Sequence, residues 1–497
     1  MSTIAATLRG EGLLERYFGF AARGTTFARD TTAGATTFVV MSYIIFVNPS
    51  ILTGATPKFG PTLAFSAVLT STCLVAGVMS ILMGLTTNYA YAIAPGMGLN
   101  AVVAYGLVAS GKASFPEAMG LVVLEGAAMV LLAVTGLREL IFRAIPLELK
   151  KAVAIGIGLF IAFIGLYNSG IIASLPPSAG QPVTLGSFTT WPIFVTFFGI
   201  VFTFVLRAIR FRGDLIVGII GTTIVATVIN SLVSHHRVFG TSVATWPGWH
   251  HLYARPNFTL LGNISMHSFS STQLGVIASL VWVFSLFLSD FFDFSGTAIG
   301  VGKQAGYVDK DGNIPNFKRA LVVDGLAAAA GGAASASSAT TYIESGSGVA
   351  AGGRTGWVAV TAGLLFFPFM FISPLIGMVP AQATAAALIV VGWLMISTLT
   401  EMEGEAEGQA ASKLAGIDFH DLAIGLSAAL AIMIMPFTYS ITNGIGFGFI
   451  TYTVICAARR EWKRIHPFMW VVTAAFVLYF LVPLLQQHVS WFGGHLG

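Results

Sequence analysis

Three acidic residues stand in otherwise apolar stretches of this sequence, where a carboxylate has few structural uses. Asp290 and Asp293 lie in FLSDFFDFSGTAIG (287–300), and Glu344 lies in TTYIESGSGVAAGG (340–353). Helical spacing places the two aspartates on neighbouring positions of one helix face. Acids in a membrane-spanning helix cost about 2.5–3.5 kcal/mol each at mid-bilayer, and they usually face a cavity that serves ions, protons or a substrate.

The chemistry open to these acids is proton exchange and recognition of N–H groups. Several carboxylates in one dry cavity cannot all ionise at low cost, because burial and mutual repulsion disfavour the charged form. One proton can therefore bind and leave, and a carboxylate can also accept paired N–H donors from a flat heterocycle. Asn100, after the glycines of PGMGLN, adds an amide that both donates and accepts. Glu125 is a lone acid in another apolar run, and we favour a structural role for it.

Composition places these residues in a membrane protein. The chain is 55% hydrophobic and 9% charged, with a mean hydropathy of +0.82, whereas soluble domains carry about 25% charged residues. The two cysteines, Cys73 and Cys456, lie in apolar runs and indicate neither a disulfide framework nor a metal site. No nucleophile elbow, phosphate-binding loop or zinc-hydrolase spacing is present, so we expect no enzyme activity and no cofactor.

Apolar runs predict fourteen segments that carry the acids through the bilayer, for which a helix needs about 20 residues. They are 31–52, 63–85, 96–109, 117–136, 149–166, 191–208, 214–233, 272–299, 318–334, 344–352, 354–373, 382–400, 420–438 and 440–458. A further run, 467–486, is either a fifteenth crossing or an interfacial helix. With a cytoplasmic N-terminus, 21 of the 25 Lys and Arg residues fall on the cytoplasmic side, as the positive-inside rule requires.

Two of these segments, 96–109 and 344–352, are too short to cross as helices. Each follows a stretch that favours extended backbone, in NYAYAIAPGMGLNAVVAY (88–105) and ASSATTYIESGSGVAAGG (336–353). Paired interruptions at matching positions of two halves mark the binding site of inverted-repeat transporters. The spacing agrees, since Asn48 lies 52 residues before Asn100 and Asp293 lies 51 residues before Glu344.

Five sequence blocks resemble one transporter family, the AzgA-like purine permeases. These are the adenine, guanine and hypoxanthine branch of the nucleobase:cation symporters, related to the nucleobase–ascorbate transporters. The resemblance runs in order over about residues 13–460. The blocks are TTFVVMSYIIFVNPSIL, NYAYAIAPGMGLNAVVAY, SDFFDFSGT, TTYIESGSGVAAGGRTG and MPFTYSITNGIGFGFI.

The resemblance implies an all-α polytopic membrane protein with fourteen transmembrane segments in two inverted repeats of seven. It implies core and gate domains, with two short antiparallel strands in segments 3 and 10. The expected divisions are a cytoplasmic N-terminal segment 1–30, core parts 31–136 and 272–373, gate parts 149–233 and 382–458, an extracytoplasmic loop 234–271, and a C-terminal hydrophobic segment and tail 467–497.

The resemblance also assigns residues. It implies purine contacts for Asp290 and Glu344, with Asn100 and Asp293 also implicated and the backbone N–H of Ile343 facing the ligand. The proton-coupling candidates are Asp290, Asp293 and Glu344. Many relatives read DLFDTAGT where this chain reads DFFDFSGT, so we expect the bulky Phe294 to narrow the cavity.

The function expected from this resemblance is import of adenine, guanine or hypoxanthine by proton symport, with the gate rocking against the core. The expected setting is the cell's inner membrane, as a multi-pass homodimer with its N-terminus in the cytoplasm and no nucleic-acid partner. One alternative is a permease for xanthine, uracil or a cytokinin-like purine. Another is an anion carrier of the same seven-plus-seven fold, which the facing acids Asp290 and Glu344 argue against.

Overall fold

The structure is a computed structural model that describes residues 12–135, 144–175, 181–233, 238–239, 243–248, 251–271, 274–307, 314–401 and 417–488. Its helices are α1 Leu13–Phe18, α2 Phe27–Met41, α3 Ile44–Gly54, α4 Phe65–Thr87, α5 Met97–Ala101, α6 Phe115–Thr135, α7 Leu147–Asn168, α8 Trp191–Ala208, α9 Asp214–Leu232, α10 Gly275–Gln304, α11 Phe317–Ala333, α12 Ser345–Ala350, α13 Trp357–Phe366, α14 Ser373–Gly377, α15 Ala381–Glu401, α16 Leu422–Phe437, α17 Ile441–Ala458 and α18 Pro467–His488. Its strands are β1 Ile93–Pro95, β2 Ile172–Ser174, β3 Val183–Leu185 and β4 Ala339–Thr341.

The described residues contain eight helices that are long and apolar enough to cross a membrane. They are α4, α6, α7, α8, α9, α10, α17 and the helix Phe27–Gly54, which α2 and α3 form together. Shorter apolar helices include Trp357–Phe371, Leu422–Phe437 and Pro467–Leu481. The protein is therefore a multi-pass integral membrane protein, and the count of fourteen segments stays a prediction.

The two interrupted segments meet in the interior. Strands β1 and β4 pair antiparallel with Ile93 opposite Thr341 and Pro95 opposite Ala339. Each strand leads into a short helix, α5 after β1 and α12 after β4. Their backbone groups find partners in each other, as non-helical backbone inside a membrane protein requires. The predicted pair of short antiparallel strands is thus confirmed.

Helix packing has the symmetry expected of two repeats. Helix α4 packs against α13, and α6 packs against α11. If α4 of one repeat corresponds to α11 of the other, and α6 corresponds to α13, each of these contacts is the repeat-related copy of the other. Glycines permit both close approaches. A Cβ on Gly84 of α4 would lie 2.3 Å from the Gly356 carbonyl oxygen, and a Cβ on Gly126 of α6 would lie 2.3 Å from the Ala329 backbone nitrogen. Small residues of this kind let membrane helices approach closely.

The contacts within a second group of helices show the same correspondence between the two repeats. Helix α7 packs against α16 and α8 packs against α15, alongside the pairs α7–α15 and α16–α17. The predicted division into core and gate stays a prediction, as does their relative motion. Helix α2 begins at Phe27, inside the segment predicted as N-terminal and cytoplasmic. Six of the basic residues used for orientation lie outside the described residues: Arg9, Arg138, Arg143, Arg237, Lys310 and Lys413.

Candidate functional site

Helix α10 carries both aspartates but gives them different surroundings. The side chain of Asp290 has no exposed surface. Asp293, one turn later, is exposed although its neighbours Phe291 and Phe294 are buried. Because Asp293 interacts electrostatically with Glu344 and Asp290, its exposed face looks into a gap inside the protein.

Glu344 borders this gap from the other side. It is the N-cap residue of α12, at the end of the turn that follows β4. The Tyr43 hydroxyl, at the junction of α2 and α3, donates to Glu344 Oε1 at 2.7 Å and orients the carboxylate. A carboxylate accepts several hydrogen bonds, so Tyr43 leaves acceptor capacity for a ligand. The side chain of Ile343 is 39% exposed beside it.

Two glycines leave open the face of α10 that is turned towards Ile343 and Glu344. A Cβ added to Gly296, one turn beyond Asp293, would meet no atom of the described residues within 4 Å. A Cβ on Gly300 would lie 3.7 Å from Ile343 Cδ1. The gap between α10 and the start of α12 is therefore lined by Asp293, Gly296, Ile343 and Glu344, and we call it the binding gap.

Asn100 lies in α5, which packs against α3, α7 and α10. Its side chain is fully enclosed, and neither Nδ2 nor Oδ1 has a hydrogen-bond partner among the described residues. A buried amide left in this state costs about 1–3 kcal/mol. An unpartnered amide beside the interrupted segment is suited to a polar ligand.

A cluster of buried acids lies behind the binding gap, around β4. Asp324 of α11 accepts from the backbone N–H of Thr341 at 2.9 Å and from its hydroxyl at 2.8 Å. The Thr340 hydroxyl also points at this carboxylate, at 3.3 Å from Oδ2. Asp324 therefore fixes the strand that leads into Glu344.

The other two members of the cluster are less well satisfied. Glu125 of α6 accepts from the Ser338 hydroxyl at 3.0 Å through Oε1, while its Oε2 has no partner among the described residues. Glu125 lies within hydrogen-bonding reach of Asp290. Neither oxygen of Asp290 has a partner with normal hydrogen-bond geometry in the described part of the chain, although the hydroxyl of Thr340 is also a neighbour.

The structure thus brings the predicted residues together in two layers. Asp293, Glu344 and Ile343 line the binding gap, whereas Asp290 and Asn100 are enclosed. The expectation for Phe294 is wrong, because its ring is buried against Phe317 with centroids 5.3 Å apart and faces away from the gap.

Two residues of the site were missed by sequence reasoning. Tyr43 stands in an apolar run, where the pair Ser42–Tyr43 is a polar interruption between α2 and α3. Asp324 stands in LVVDGLAAAA, a lone acid in an apolar segment. The argument that singled out Asp290 applies equally to Asp324.

A separate cavity of about 380 Å³ opens away from these acids, beside Arg23, Tyr89, Tyr307 and Arg354. The Arg23 guanidinium donates to the Asn88 carbonyl at 2.7 Å and lies 5.6 Å from the centre of the Tyr307 ring. These contacts tie the N-terminal segment to the helices it covers, which is a structural role.

Comparison with known proteins places the chain among membrane permeases. The family model Xan_ur_permease, described as a permease family, matches residues 29–410. The guanine/hypoxanthine permease PbuG of Bacillus subtilis (strain 168) is 36% identical over 475 residues, covering 94% of this chain and 99% of that protein. The adenine permease AdeP of Escherichia coli (strain K12) is 36% identical over 470 residues, covering 94% and 96%.

Solved structures resemble the fold at low sequence identity. The transmembrane domain of a cyanobacterium bicarbonate transporter, BicA, has a TM-score of 0.59 at 14% identity and covers 84% of this chain and 96% of that chain. The murine anion transporter Slc26a9 in the inward-facing state has a TM-score of 0.59 at 12% identity, covering 87% and 69%. These likenesses show the fold alone.

Proposed function

The chain belongs to this permease family, in the nucleobase–ascorbate transporter superfamily and its purine-permease branch, and from that membership we propose that it imports purine nucleobases together with a proton. Membership confirms the family resemblance read from the sequence. The family and its relatives are transporters, which favours transport over an enzymatic reaction. Adenine, guanine and hypoxanthine are the proposed substrates.

One observation carries the proposal: the carboxylates of Asp293 and Glu344 border the same internal gap, and the interrupted segments meet beside it. Purine bases present N–H donors in one plane, and ionised carboxylates are acceptors only. The gap therefore offers the acceptors that a purine needs. A pair of acids is a poor environment for an anion, because like charges at short distance in a protein interior repel strongly.

Each lining residue has a proposed part in binding. Glu344, oriented by Tyr43, accepts N–H groups from one edge of the ring, and Asp293 accepts from the side of α10. The backbone N–H of Ile343 donates to a ring nitrogen or carbonyl. The amide of Asn100, unpartnered in this conformation, completes the set by donating to and accepting from the base.

The acids also supply the proposed proton coupling. Asp293 interacts electrostatically with both Asp290 and Glu344, so full ionisation of all three is unfavourable and a proton is bound with the substrate. Asp290 has no exposed surface here, and its proposed part is to hold the proton behind the bound base. The core then carries both past the gate, in an alternating-access cycle.

Uptake measurements test this function directly. Cells of a strain lacking its own purine uptake, or liposomes containing the purified protein, are given labelled adenine, guanine or hypoxanthine, with and without a protonophore. We expect accumulation that collapses with the protonophore. Competition by uracil, xanthine and cytokinin-like purines separates the alternative nucleobase permeases, and bicarbonate or sulfate uptake with no purine uptake would favour the anion carrier.

Site variants test the assigned residues. Glu344→Gln and Asp293→Asn keep the size of the side chain but remove the charge, and we expect each to abolish uptake while the protein still reaches the membrane. The matched control is Glu461→Gln, at an ion pair with Arg464 near the start of α18, which should leave uptake unchanged. Normal accumulation by Glu344→Gln would remove the site assignment.

The expected setting follows from the same reading. We propose insertion in the cell's inner membrane with a cytoplasmic N-terminus, and assembly as a homodimer through the gate helices. Accessibility of single cysteines placed near Arg9 and near Lys58 to a membrane-impermeant thiol reagent tests the orientation, because only the second should react from outside intact cells.

A further inference from the structure

We propose that Glu125 and Asp290 form a proton-sharing pair that binds the transported proton one layer behind the binding gap. The inference rests on the proposed function and assigns a part to Glu125, which the sequence suggested to be structural. It makes the pair, rather than a single acid facing the substrate, the site at which the proton is held.

The geometry of the pair calls for a proton. Both side chains are fully buried, and they lie within hydrogen-bonding reach of each other. Three of their four carboxyl oxygens have no hydrogen-bond partner among the described residues. Two ionised carboxylates cannot bond to each other, since both are acceptors only. One added proton supplies the missing donor and satisfies oxygens on both residues.

Among the described residues, no positive charge substitutes for that proton. The ion pairs found there include those of Asp214, Asp421 and Glu461, and none involves Asp290 or Glu125. The third neighbouring acid, Asp324 of α11, adds further negative charge. Leaving two like charges buried and unpaired is far more costly than sharing one proton.

The groups that act electrostatically on the pair are neutral or acidic. Ser338 and Thr340 bring hydroxyls from the segment of β4, α11 brings Asp324, and α10 brings Asp293. The Ser338 hydroxyl can also rotate, as it is both a donor and an acceptor. The surroundings therefore hold one proton tightly without trapping it in an ion pair.

The pair is coupled to the substrate through Asp293, which interacts electrostatically with Asp290. A proton on the pair removes one negative charge behind the binding gap, and N–H donors bound at Asp293 stabilise the charge in front of it. Each event therefore changes the free energy of the other, and this linkage is reciprocal. In each cycle one proton arrives from outside water and one leaves to the inside, so only O–H bonds form and break.

The test compares gradient-driven accumulation with exchange. In the first assay, liposomes containing the full-length protein take up labelled purine under an inward proton gradient. In the second assay, liposomes preloaded with unlabelled purine exchange it for labelled purine without a gradient. We expect Glu125→Gln to lose accumulation but to keep exchange. The control Glu117→Gln, on the same helix but bonded to the backbone N–H of Ser114 at 2.7 Å, should keep both. Gradient-driven accumulation by Glu125→Gln at the wild-type level would overturn the proposal.

Infrared spectroscopy tests for the shared proton of Glu125 and Asp290 independently of transport. The wild-type protein should show a carbonyl stretch of a protonated carboxylic acid at neutral pH that is missing from Glu125→Gln. If that variant does not fold, the wild-type spectrum still decides, since absence of any protonated carboxyl band at neutral pH overturns the pair. A wild type that shows the band but neither accumulates nor exchanges purines would contradict the proposed function and not the pair.

Discussion

Gly296 is the residue at which the binding gap can be filled without disturbing the packing around it. A Cβ there would lie more than 4 Å from every atom in the described part of the chain, and the position lies one turn from Asp293. We expect Gly296→Leu to occupy the space of the base and to weaken purine binding by at least about 10-fold, equivalent to 1.4 kcal/mol. Binding of labelled purine to the purified protein measures this effect.

The same variant should leave stability intact, because the added side chain enters open space. The matched control is Gly126→Leu, where a Cβ would lie 2.3 Å from the Ala329 backbone nitrogen. Overpacking at such a contact costs about 1–3 kcal/mol, so the control should lower the melting temperature. Unchanged purine affinity in Gly296→Leu would show that the base binds elsewhere.

At this scale the sequence predicts which residues are unusual, but not which way they face. Asp290 and Asp293 are both anomalous in an apolar helix, yet only Asp293 reaches the gap. A spacing of three places them about 60° apart around a helix, and this angle decides which one is enclosed where α10 packs against α6 and β4. The error for Phe294 has the same origin, since its direction is set by contact with Phe317.

Among the elements, the N-terminal end of α16 shows how charged groups stabilise the helices near the membrane surface. Asp421 is its N-cap and accepts from the Ala423 N–H at 3.0 Å, while Arg464 reaches it at 2.6 Å. Burial alone would raise the pKa of Asp421, but the hydrogen bonds from Arg464 and Ala423 outweigh burial and hold that pKa below its usual value.

The sign of the resulting pH dependence follows from this direction. A carboxyl whose pKa is lower when folded contributes to stability at neutral pH, and the contribution is lost as the pH falls below about 4 towards the folded pKa. Asp421→Asn keeps an acceptor for the cap but removes the ion pair with Arg464, so it should remove this part of the pH dependence and lower the free energy of unfolding at neutral pH by about 0–1 kcal/mol. Melting temperatures in detergent between neutral pH and about pH 3 measure both effects.

A second variant separates the cap from the charge. Asp421→Ser keeps a hydroxyl that accepts from the Ala423 N–H, so it should be destabilised less than an alanine at the same position but should lack the acid-dependent loss. If the asparagine and serine variants lost stability with falling pH as steeply as the wild type, the contribution of Asp421 would be negligible.

The helices and strands could be predicted from the sequence where neighbouring residues in the chain determine the backbone conformation. Pro95 and Gly96 open a short helix after an extended stretch, and threonines 340 and 341 favour extended backbone, so both interruptions could be placed from sequence. Their antiparallel pairing was implied only by the family resemblance. Tyr43 could not be placed in the same way, because its contact with Glu344 joins residues 301 positions apart.

For the whole molecule, the remaining question is whether the two groups of helices move against each other. The binding gap lies in the group containing α4, α6, α10 and α11, and the short helix α5 of that group contacts α7 of the other. A Cβ on Gly98 of α5 would lie 2.7 Å from Ile157 Cγ2 of α7. Cysteines at these two positions are therefore close enough for a disulfide, which needs Cβ atoms about 3.5–4.5 Å apart.

If transport requires sliding of the groups, this disulfide stops it. In a background with Cys73→Ala and Cys456→Ala, we expect Gly98→Cys/Ile157→Cys to lose purine uptake on oxidation and to regain it on reduction. The single variants should be insensitive to both treatments, which separates locking from damage at Gly98. Full uptake by the oxidised pair, with the cross-link confirmed by mass spectrometry, would mean that the contact between α5 and α7 persists through the cycle and that the base crosses without relative motion of the groups at this point.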